Sequence, residues 1–196
     1  IIDIKMKTKA TDLLTKLSAD YFKVLNLTPR EKKGIFSKIK KEILINKKQL
    51  LNLMVKEIKL TKKDSEKEIL RAYKTFDIAE KQSNYNKEKE ISKNGIMIKE
   101  KRLARGPLFA ITPYSSPLSS PAHKIALGII AGTSILFKPS HLAKQVGKAL
   151  FKIISRATKS QYIYFYGGDS QKDLQKIISD DRIGILSFTG GYETGK

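Results

Sequence analysis

Small and polar side chains collect at four places in the sequence, and each group directly follows a run of apolar residues. The four groups are residues 112–115, 138–141, 167–168 and 188–191. Lysine and hydroxyl groups can hydrogen-bond to ribose and phosphate oxygens. Glycines at the start of a helix leave backbone N–H groups accessible to an anion. This combination of residue types indicates a nucleotide-binding site.

Alternating strands and helices must position these groups. The apolar periodicity predicts strands at 108–112, 134–138, 161–166 and 183–188, helices at 117–131, 142–157 and 170–179, and a further helix starting at Gly190. Strands that alternate with helices of this length imply a parallel sheet with right-handed crossovers. Ligands of such sheets bind at the carboxyl ends of the strands. The four polar groups are therefore expected to meet at one edge.

The first half of the chain is predicted to be helical. Apolar spacing indicates a helix over 8–27, and a second helix to about residue 45 starts with a capping box of Thr28, Pro29 and Glu31. Asn46 is expected to cap the third helix, and Thr61 the fourth. Residues 82–95 are predicted to form a loop, followed by a strand over 95–102. From the residues alone, the helices could form a separate bundle or cover a sheet.

Several short motifs occur in one order along the chain: Ile111-Thr112-Pro113-Tyr114, Pro117-Leu118, Pro121 to Ala126, Ala131-Gly132, Lys138-Pro139-Ser140, and the block Ser187 to Lys196. In this order they resemble the aldehyde dehydrogenase superfamily. The resemblance implies an α/β fold in which N-terminal helices pack on a Rossmann-like parallel sheet, with a short β-hairpin arm. It divides the chain into a helical part (1–91), a hairpin arm for oligomerisation (92–106) and an incomplete cofactor-binding core (107–196).

The resemblance also implies a dinucleotide, NAD or NADP, as the cofactor. It assigns cofactor binding to Ile111, Thr112, Pro113, Tyr114, Lys138, Pro139, Ser140, His141, Gly168, Phe188, Thr189, Gly190 and Gly191. Lys138 is expected to contact the adenine ribose. The family often has Glu where this chain has His141, and a carboxylate there repels a 2′-phosphate. We hypothesise that His141 lets the site tolerate NADP, while the choice between NAD and NADP stays open.

The chain departs from the family pattern at several positions. Ser115 replaces the Asn whose amide helps to hold the oxyanion, and the loss of one such donor typically costs about 3 kcal/mol of transition-state stabilisation. Gly191 replaces a Ser that would touch the pyrophosphate. Ser170 and Leu174 replace glycines that approach the cofactor. Ser115 is therefore only a weak candidate for a catalytic residue.

The family reaction, oxidation of an aldehyde to a carboxylic acid, needs a Cys nucleophile and a Glu general base beyond the Ser187–Lys196 block. The sequence has no Cys and begins with Ile. We therefore expect this chain to be the cofactor-binding part of an NAD(P)-dependent aldehyde dehydrogenase, either a fragment of a longer protein or a decayed copy. The chain alone is expected to be inactive, and an aldehyde is expected as substrate only for a full-length form. The alternative is a non-catalytic nucleotide-binding or oligomerising remnant.

The formal net charge of +20 raises a second alternative, a basic nucleic-acid-binding protein. Lysines far outnumber arginines and are interspersed with glutamates, which favours a solvated surface, so nucleic acid is not the expected partner. No run has the length of a membrane span and no signal peptide is recognised, so we expect a cytoplasmic protein. The expected partner is a second copy of the chain, bound through the hairpin, and the equal alternative is a plain surface hairpin. No metal site is expected.

Overall fold

The computed structural model describes residues 10–85 and 88–195. Residues 8 and 9 of the first predicted helix, and Lys196 of the last motif, lie outside this part. The first half of the chain forms four helices: α1 (Ala10–Leu25), α2 (Pro29–Ile45), α3 (Lys47–Ile58) and α4 (Lys62–Lys81). The helical character predicted from the apolar spacing is confirmed.

Two of the three predicted helix caps are present. The Thr28 hydroxyl accepts from the backbone N–H of Glu31, and the Glu31 carboxylate accepts from the N–H of Thr28 in return. Thr61 accepts from the backbone N–H of Asp64 at 3.1 Å. The predicted cap at Asn46 is wrong. Its side-chain amide donates backwards to the carbonyl of Glu42 at 2.7 Å, so Asn46 stabilises the end of α2 instead.

The segment after α4 forms an antiparallel hairpin of β1 (Lys89–Lys93) and β2 (Ile96–Glu100). The loop predicted for residues 82–95 is therefore wrong over its last part. Asn94 and Gly95 both have positive φ, at 52° and 77°, and an Asn-Gly pair of this kind is a strong two-residue hairpin signal. All ten strand residues of the hairpin are exposed.

The second half of the chain forms a four-stranded parallel sheet with order β5-β4-β3-β6. Its strands are β3 (Leu108–Ile111), β4 (Ile135–Lys138), β5 (Ile163–Phe165) and β6 (Ile185–Phe188). The helices are α5 (Ser119–Ala131), α6 (Lys144–Ala157), α7 (Gln171–Ile178) and α8 (Tyr192–Gly195), and a 3₁₀ turn (His141–Ala143) precedes α6. The predicted α/β fold class is confirmed.

The side chains of each strand alternate between the two faces of the sheet. On one face, Ala110 and Phe137 join a core with α5 and α6, and helices α2, α3 and α4 form an outer layer over those two helices. On the opposite face, Phe109 and Leu136 pack with Leu17 of α1 and with α7. The N-terminal helices therefore cover the sheet, but they divide between its two faces.

Candidate functional site

The carboxyl ends of the four strands meet at one edge of the sheet. Ile111 is the register partner of Lys138 on one side and of Phe188 on the other. Backbone bonds continue past the strands, because Thr112 N–H donates to the Lys138 carbonyl and Thr189 N–H to the Ile111 carbonyl, both at 3.1 Å. Three of the four groups predicted from the sequence are thus held side by side by the sheet.

The end of β4 is closely packed. Pro139 is buried against Gly147 of α6, where an added Cβ would lie 2.5 Å from the Pro139 Cβ. Glycine at 147 therefore allows α6 to approach the strand end. The Ser140 hydroxyl accepts from Leu142 N–H at 3.3 Å, and the exposed His141 begins the 3₁₀ turn. This packing fixes the direction in which the chain leaves Lys138.

Lys138 brings a buried positive charge to this edge. Its side chain is 11% exposed, and the one carboxylate within 4.0 Å of it in the described residues is Asp169, at 3.9 Å. That distance is too long for a hydrogen bond. Burial lowers the pKa of Lys138, the Asp169 charge opposes this shift, and Lys144 adds to it. A buried ammonium group paired this loosely can take a polar ligand.

Asp169 follows the end of β5 and also binds a second lysine. Its carboxylate accepts from the Lys144 ammonium at 3.2 Å, so one acidic side chain lies between two lysines from the β4 side. The sequence reasoning did not identify Asp169 or Lys144 as site residues. Asp169 adjoins the predicted Gly168, so its position next to a strand end was a usable signal.

The absence of a side chain at Gly168 leaves room for the side chain of Tyr166. A Cβ added there would lie 2.6 Å from the hydroxyl oxygen of Tyr166, whose ring is buried. Burial raises the pKa of Tyr166, and the nearby Asp173 and Asp169 raise it further. The chain was expected to need glycine here for close approach of a cofactor. The packing of Tyr166 gives a sufficient reason within the chain itself.

The end of β3 leads into the loop before α5. Thr112 is buried and Pro113 half-buried, whereas Tyr114 and Ser115 are exposed. Glu68 of α4 reaches the start of α5, where its carboxylate accepts from the backbone N–H groups of Leu118 at 3.4 Å and Ser119 at 3.0 Å, and from the Ser119 hydroxyl at 2.9 Å. The helical layer thus fixes the end of the loop that carries Ser115.

The start of α6 is held in the same way. Glu57 of α3 accepts from the backbone N–H groups of Gln145 at 2.7 Å and Val146 at 2.9 Å. A carboxylate at a helix N-terminus satisfies N–H groups that lack intrahelical partners and interacts favourably with the helix dipole. Glu57 and Glu68 were not predicted, because each lies fifty or more residues before the N–H groups that it contacts, with no local pattern to reveal it.

The end of β6 is the open part of the edge. Thr189, Gly190 and Gly191 are exposed, and among the described residues no atom beyond the two chain neighbours of Gly191 lies within 4 Å of a Cβ built there. The ring of Phe188 lies over Gly190, where an added Cβ would meet the ring at 2.6 Å. This strand end therefore presents backbone and open space where the β4 end presents packed side chains.

A further lysine lies beside the edge. The ammonium group of Lys124 on α5 donates to the Ser187 hydroxyl of β6 at 2.6 Å, and burial lowers the pKa of Lys124. The bond joins a helix to the strand that carries Phe188. Lys124 lies within the Pro121–Ala126 motif but was not predicted to contact the sheet.

None of the helices in residues 10–85 and 88–195 combines the length and the apolar character that a membrane span needs. In the same part of the chain, no group of three or more His, Cys, Asp or Glu side chains is placed to hold a metal ion.

The fold defines a class of protein in which helices cover both faces of a parallel sheet and the strand ends form the site. The family model of the aldehyde dehydrogenase family matches residues 5–196. The chain belongs to the aldehyde dehydrogenase family, and the membership predicted from the motifs is confirmed.

Relatives and solved structures agree with this family. The chain is 33% identical to a lactaldehyde dehydrogenase of Methanococcus aeolicus over 176 residues, which are 87% of this chain and 38% of that protein. The glyceraldehyde-3-phosphate dehydrogenase GapN of Methanocaldococcus jannaschii, solved with NADP, is 25% identical with a TM-score of 0.85, over 99% of this chain and 44% of that one.

A second solved structure supports the fold alone. The NADP-dependent glyceraldehyde-3-phosphate dehydrogenase of Bacillus halodurans, also solved with NADP, has a TM-score of 0.88 at 18% identity, over 95% of this chain and 41% of that one. The chain thus spans about two fifths of the length of the proteins that it matches.

Proposed function

We propose that this chain binds NAD or NADP at the carboxyl edge of its sheet, as the cofactor-binding part of an NAD(P)-dependent aldehyde dehydrogenase. The observation that carries the proposal is the buried Lys138 ammonium group, which lies at the strand end with the Asp169 carboxylate 3.9 Å away. A buried charge needs a polar partner. A ribose hydroxyl of a bound dinucleotide would supply one.

The residues present fit such a ligand. Glu68 and Glu57 already occupy the starts of α5 and α6. The backbone N–H groups at those two helix ends therefore already have acceptors and do not bind the pyrophosphate. Gly190 and Gly191 are both exposed, and the space beside Gly191 is open. The pyrophosphate is accordingly assigned to that turn, and the adenosine end to Lys138.

The proposed site comprises the residues expected from the family resemblance. The adenine ribose would be held by Lys138, Pro139, Ser140 and His141. The pyrophosphate would be held by Phe188, Thr189, Gly190 and Gly191. The edge between and beside these two groups would be lined by Ile111 to Tyr114 and by Gly168. A bound dinucleotide would supply the hydride acceptor for oxidation of the substrate carbon. The chain's own contribution is to orient the cofactor along the sheet edge and to fix its phosphates.

The aldehyde chemistry is proposed for the protein at full length. The 196 residues contain no Cys, so they do not supply the thiolate nucleophile of the family reaction. Ser115 is exposed, in the loop fixed by Glu68, and its hydroxyl could donate one hydrogen bond to an oxyanion. An aldehyde as the substrate, and the cytoplasmic location, stay predictions.

A homo-oligomer that pairs through the hairpin is part of the proposal. Ile96 and Met97 of β2 are 64% and 62% exposed, and Ile91 and Ile98 are 45% exposed. Exposed apolar side chains on a two-stranded ribbon favour pairing with another chain. We expect sedimentation equilibrium to show an oligomer that Ile96→Lys weakens. An unchanged mass distribution in that variant would rule out the hairpin as the contact.

Calorimetric titration with NAD and with NADP tests the nucleotide site. We expect wild-type binding, and a rise in Kd of about 10- to 100-fold in Lys138→Met, since a hydrogen bond to a charged group contributes about 1.5–3 kcal/mol. Lys152→Met, an exposed lysine on α6, is the matched control and should bind as the wild type does. Equal dinucleotide affinities of the two variants would show that Lys138 does not contribute to binding. Wild-type chain that binds neither dinucleotide would favour the non-catalytic remnant.

A further inference from the structure

Lys144 occupies an unfavourable place in the fold. It is the first residue of α6, so its positive charge lies at the positive end of the helix dipole. Its ammonium group points to Asp169, at 3.2 Å, and so approaches the carboxylate that also faces the buried Lys138. Helix stability gives no reason for a cation at this position. A residue that breaks a local rule in this way is a candidate for a functional role.

The side chains of Lys138, Lys144 and Asp169 differ in how far they are exposed to solvent. The side chain of Lys138 is 11% exposed and that of Lys144 31% exposed, whereas that of Asp169 is 53% exposed. Asp169 is also at the long limit of an ion pair with Lys138. The two lysines therefore form the more enclosed part of the group, and the carboxylate of Asp169 is the part most open to solvent.

We propose that Lys144 and Asp169 set the selectivity of the site between NADP and NAD, with Lys144 as the ligand of the 2′-phosphate and Asp169 as an internal anion that competes for the same lysines. The inference rests on the proposed function, because it needs the adenine ribose beside Lys138. Before binding, Asp169 neutralises part of the positive charge. A 2′-phosphate would replace Asp169 on Lys144.

The chemistry separates the two dinucleotides. A 2′-phosphate carries up to two negative charges, which Lys144 attracts and Asp169 repels. A free 2′-hydroxyl is neutral, so both charges affect NAD far less. The wild-type chain is thus expected to have a preference that neither residue alone determines, and the two substitutions should shift it in opposite directions.

The test compares the Kd values of NAD and NADP for wild type, Asp169→Asn, Lys144→Gln and Lys144→Arg, measured by calorimetry on the whole chain. We expect Asp169→Asn to tighten NADP binding about tenfold and Lys144→Gln to weaken it about tenfold, with NAD changed less than about threefold in both. Lys144→Arg keeps the charge and should keep the wild-type ratio. Raised salt should reduce the preference of Asp169→Asn for NADP.

The outcomes separate the inference from the proposed function. If both Asp169→Asn and Lys144→Gln bind dinucleotide with an NAD-to-NADP Kd ratio within twofold of the wild-type ratio, the inference is overturned. The proposed dinucleotide site is then retained. Weaker NADP binding in Asp169→Asn would also overturn it, because Asp169 would then position Lys138 and not compete for it. Wild-type chain that binds neither dinucleotide would overturn the proposed function, and the inference with it.

Discussion

The ends of β4 and β6 lie on either side of β3 and are built in opposite ways. At β4, Pro139 is packed against Gly147, and Glu57 fixes the helix that follows. At β6, Gly190 and Gly191 are exposed, with open space next to Gly191. One end presents positioned side chains with charge, and the other presents accessible backbone.

This difference matches the two parts of a dinucleotide. A ribose is recognised by directed hydrogen bonds, which need side chains held in place by packing. A pyrophosphate needs N–H groups and room for close approach of the backbone. The same sheet edge is thus closely packed where side chains must be directed at a ligand and open where the backbone must be accessible.

The largest effect is expected from Gly147→Ala at the packed end. An added Cβ would lie 2.5 Å and 2.8 Å from the Pro139 Cβ and Cγ atoms, and the proline ring cannot move aside by rotation. We expect the free energy of unfolding to fall by about 2–3 kcal/mol, the upper part of the range of about 1–3 kcal/mol that is typical of overpacked sites. Urea denaturation measures it. A loss of less than about 0.5 kcal/mol would mean that the β4 end is not closely packed.

A smaller loss is expected from Glu57→Ala. The substitution leaves the N–H groups of Gln145 and Val146 without their acceptor, which we expect to reduce the unfolding free energy by about 1–2 kcal/mol. Glu57→Gln keeps an acceptor oxygen and should lose less than half as much. If the two variants were equally destabilised, the charge of Glu57 and not its hydrogen bonding would hold α6.

The sequence predicted the elements of this edge better than the contacts between them. The strands, the helices and the motif residues were found because apolar periodicity and turn residues are local signals. The cap predicted at Asn46 is wrong because the side-chain amide of Asn46 donates a hydrogen bond to the Glu42 carbonyl of α2 instead. Glu57 and Glu68 were missed because they act across the fold, where spacing along the chain carries no information, whereas Asp169 was missed although it adjoins the predicted Gly168.

Lys138→Met should leave stability unchanged or slightly raised, although it weakens nucleotide binding. Burial lowers the pKa of Lys138 below its usual 10.5, so the unfolded chain holds that proton more tightly than the folded chain. Wild-type stability therefore gains a contribution as pH rises through the lowered pKa towards 10.5. The stability difference between wild type and Lys138→Met, followed from pH 8 upwards by urea denaturation, should show this rise. A constant difference would mean that Lys138 is solvated.

The smallest effect on stability is expected at the open end, from Gly191→Ser. In the part of the chain that the structure describes, no atom beyond the two chain neighbours lies within 4 Å of the added Cβ, so the unfolding free energy should change by less than about 0.5 kcal/mol. The added hydroxyl can donate a hydrogen bond to a pyrophosphate oxygen, and we expect the Kd for NADP to fall about 3- to 10-fold. Gly191→Ala is the control and should bind as wild type does. Equal Kd values for the Ser and Ala variants would place the pyrophosphate elsewhere.

The most direct test of the central claim is amide hydrogen exchange of the whole chain with and without saturating NADP. If the strand ends form one dinucleotide site, exchange should slow together at residues 138–141 and 188–191, and the hairpin over 89–100 should be unchanged. The largest protection is expected at Gly190 and Gly191, whose backbone is exposed in the free chain. Protection at only one of the two strand ends, or at neither, would contradict the claim of a single site.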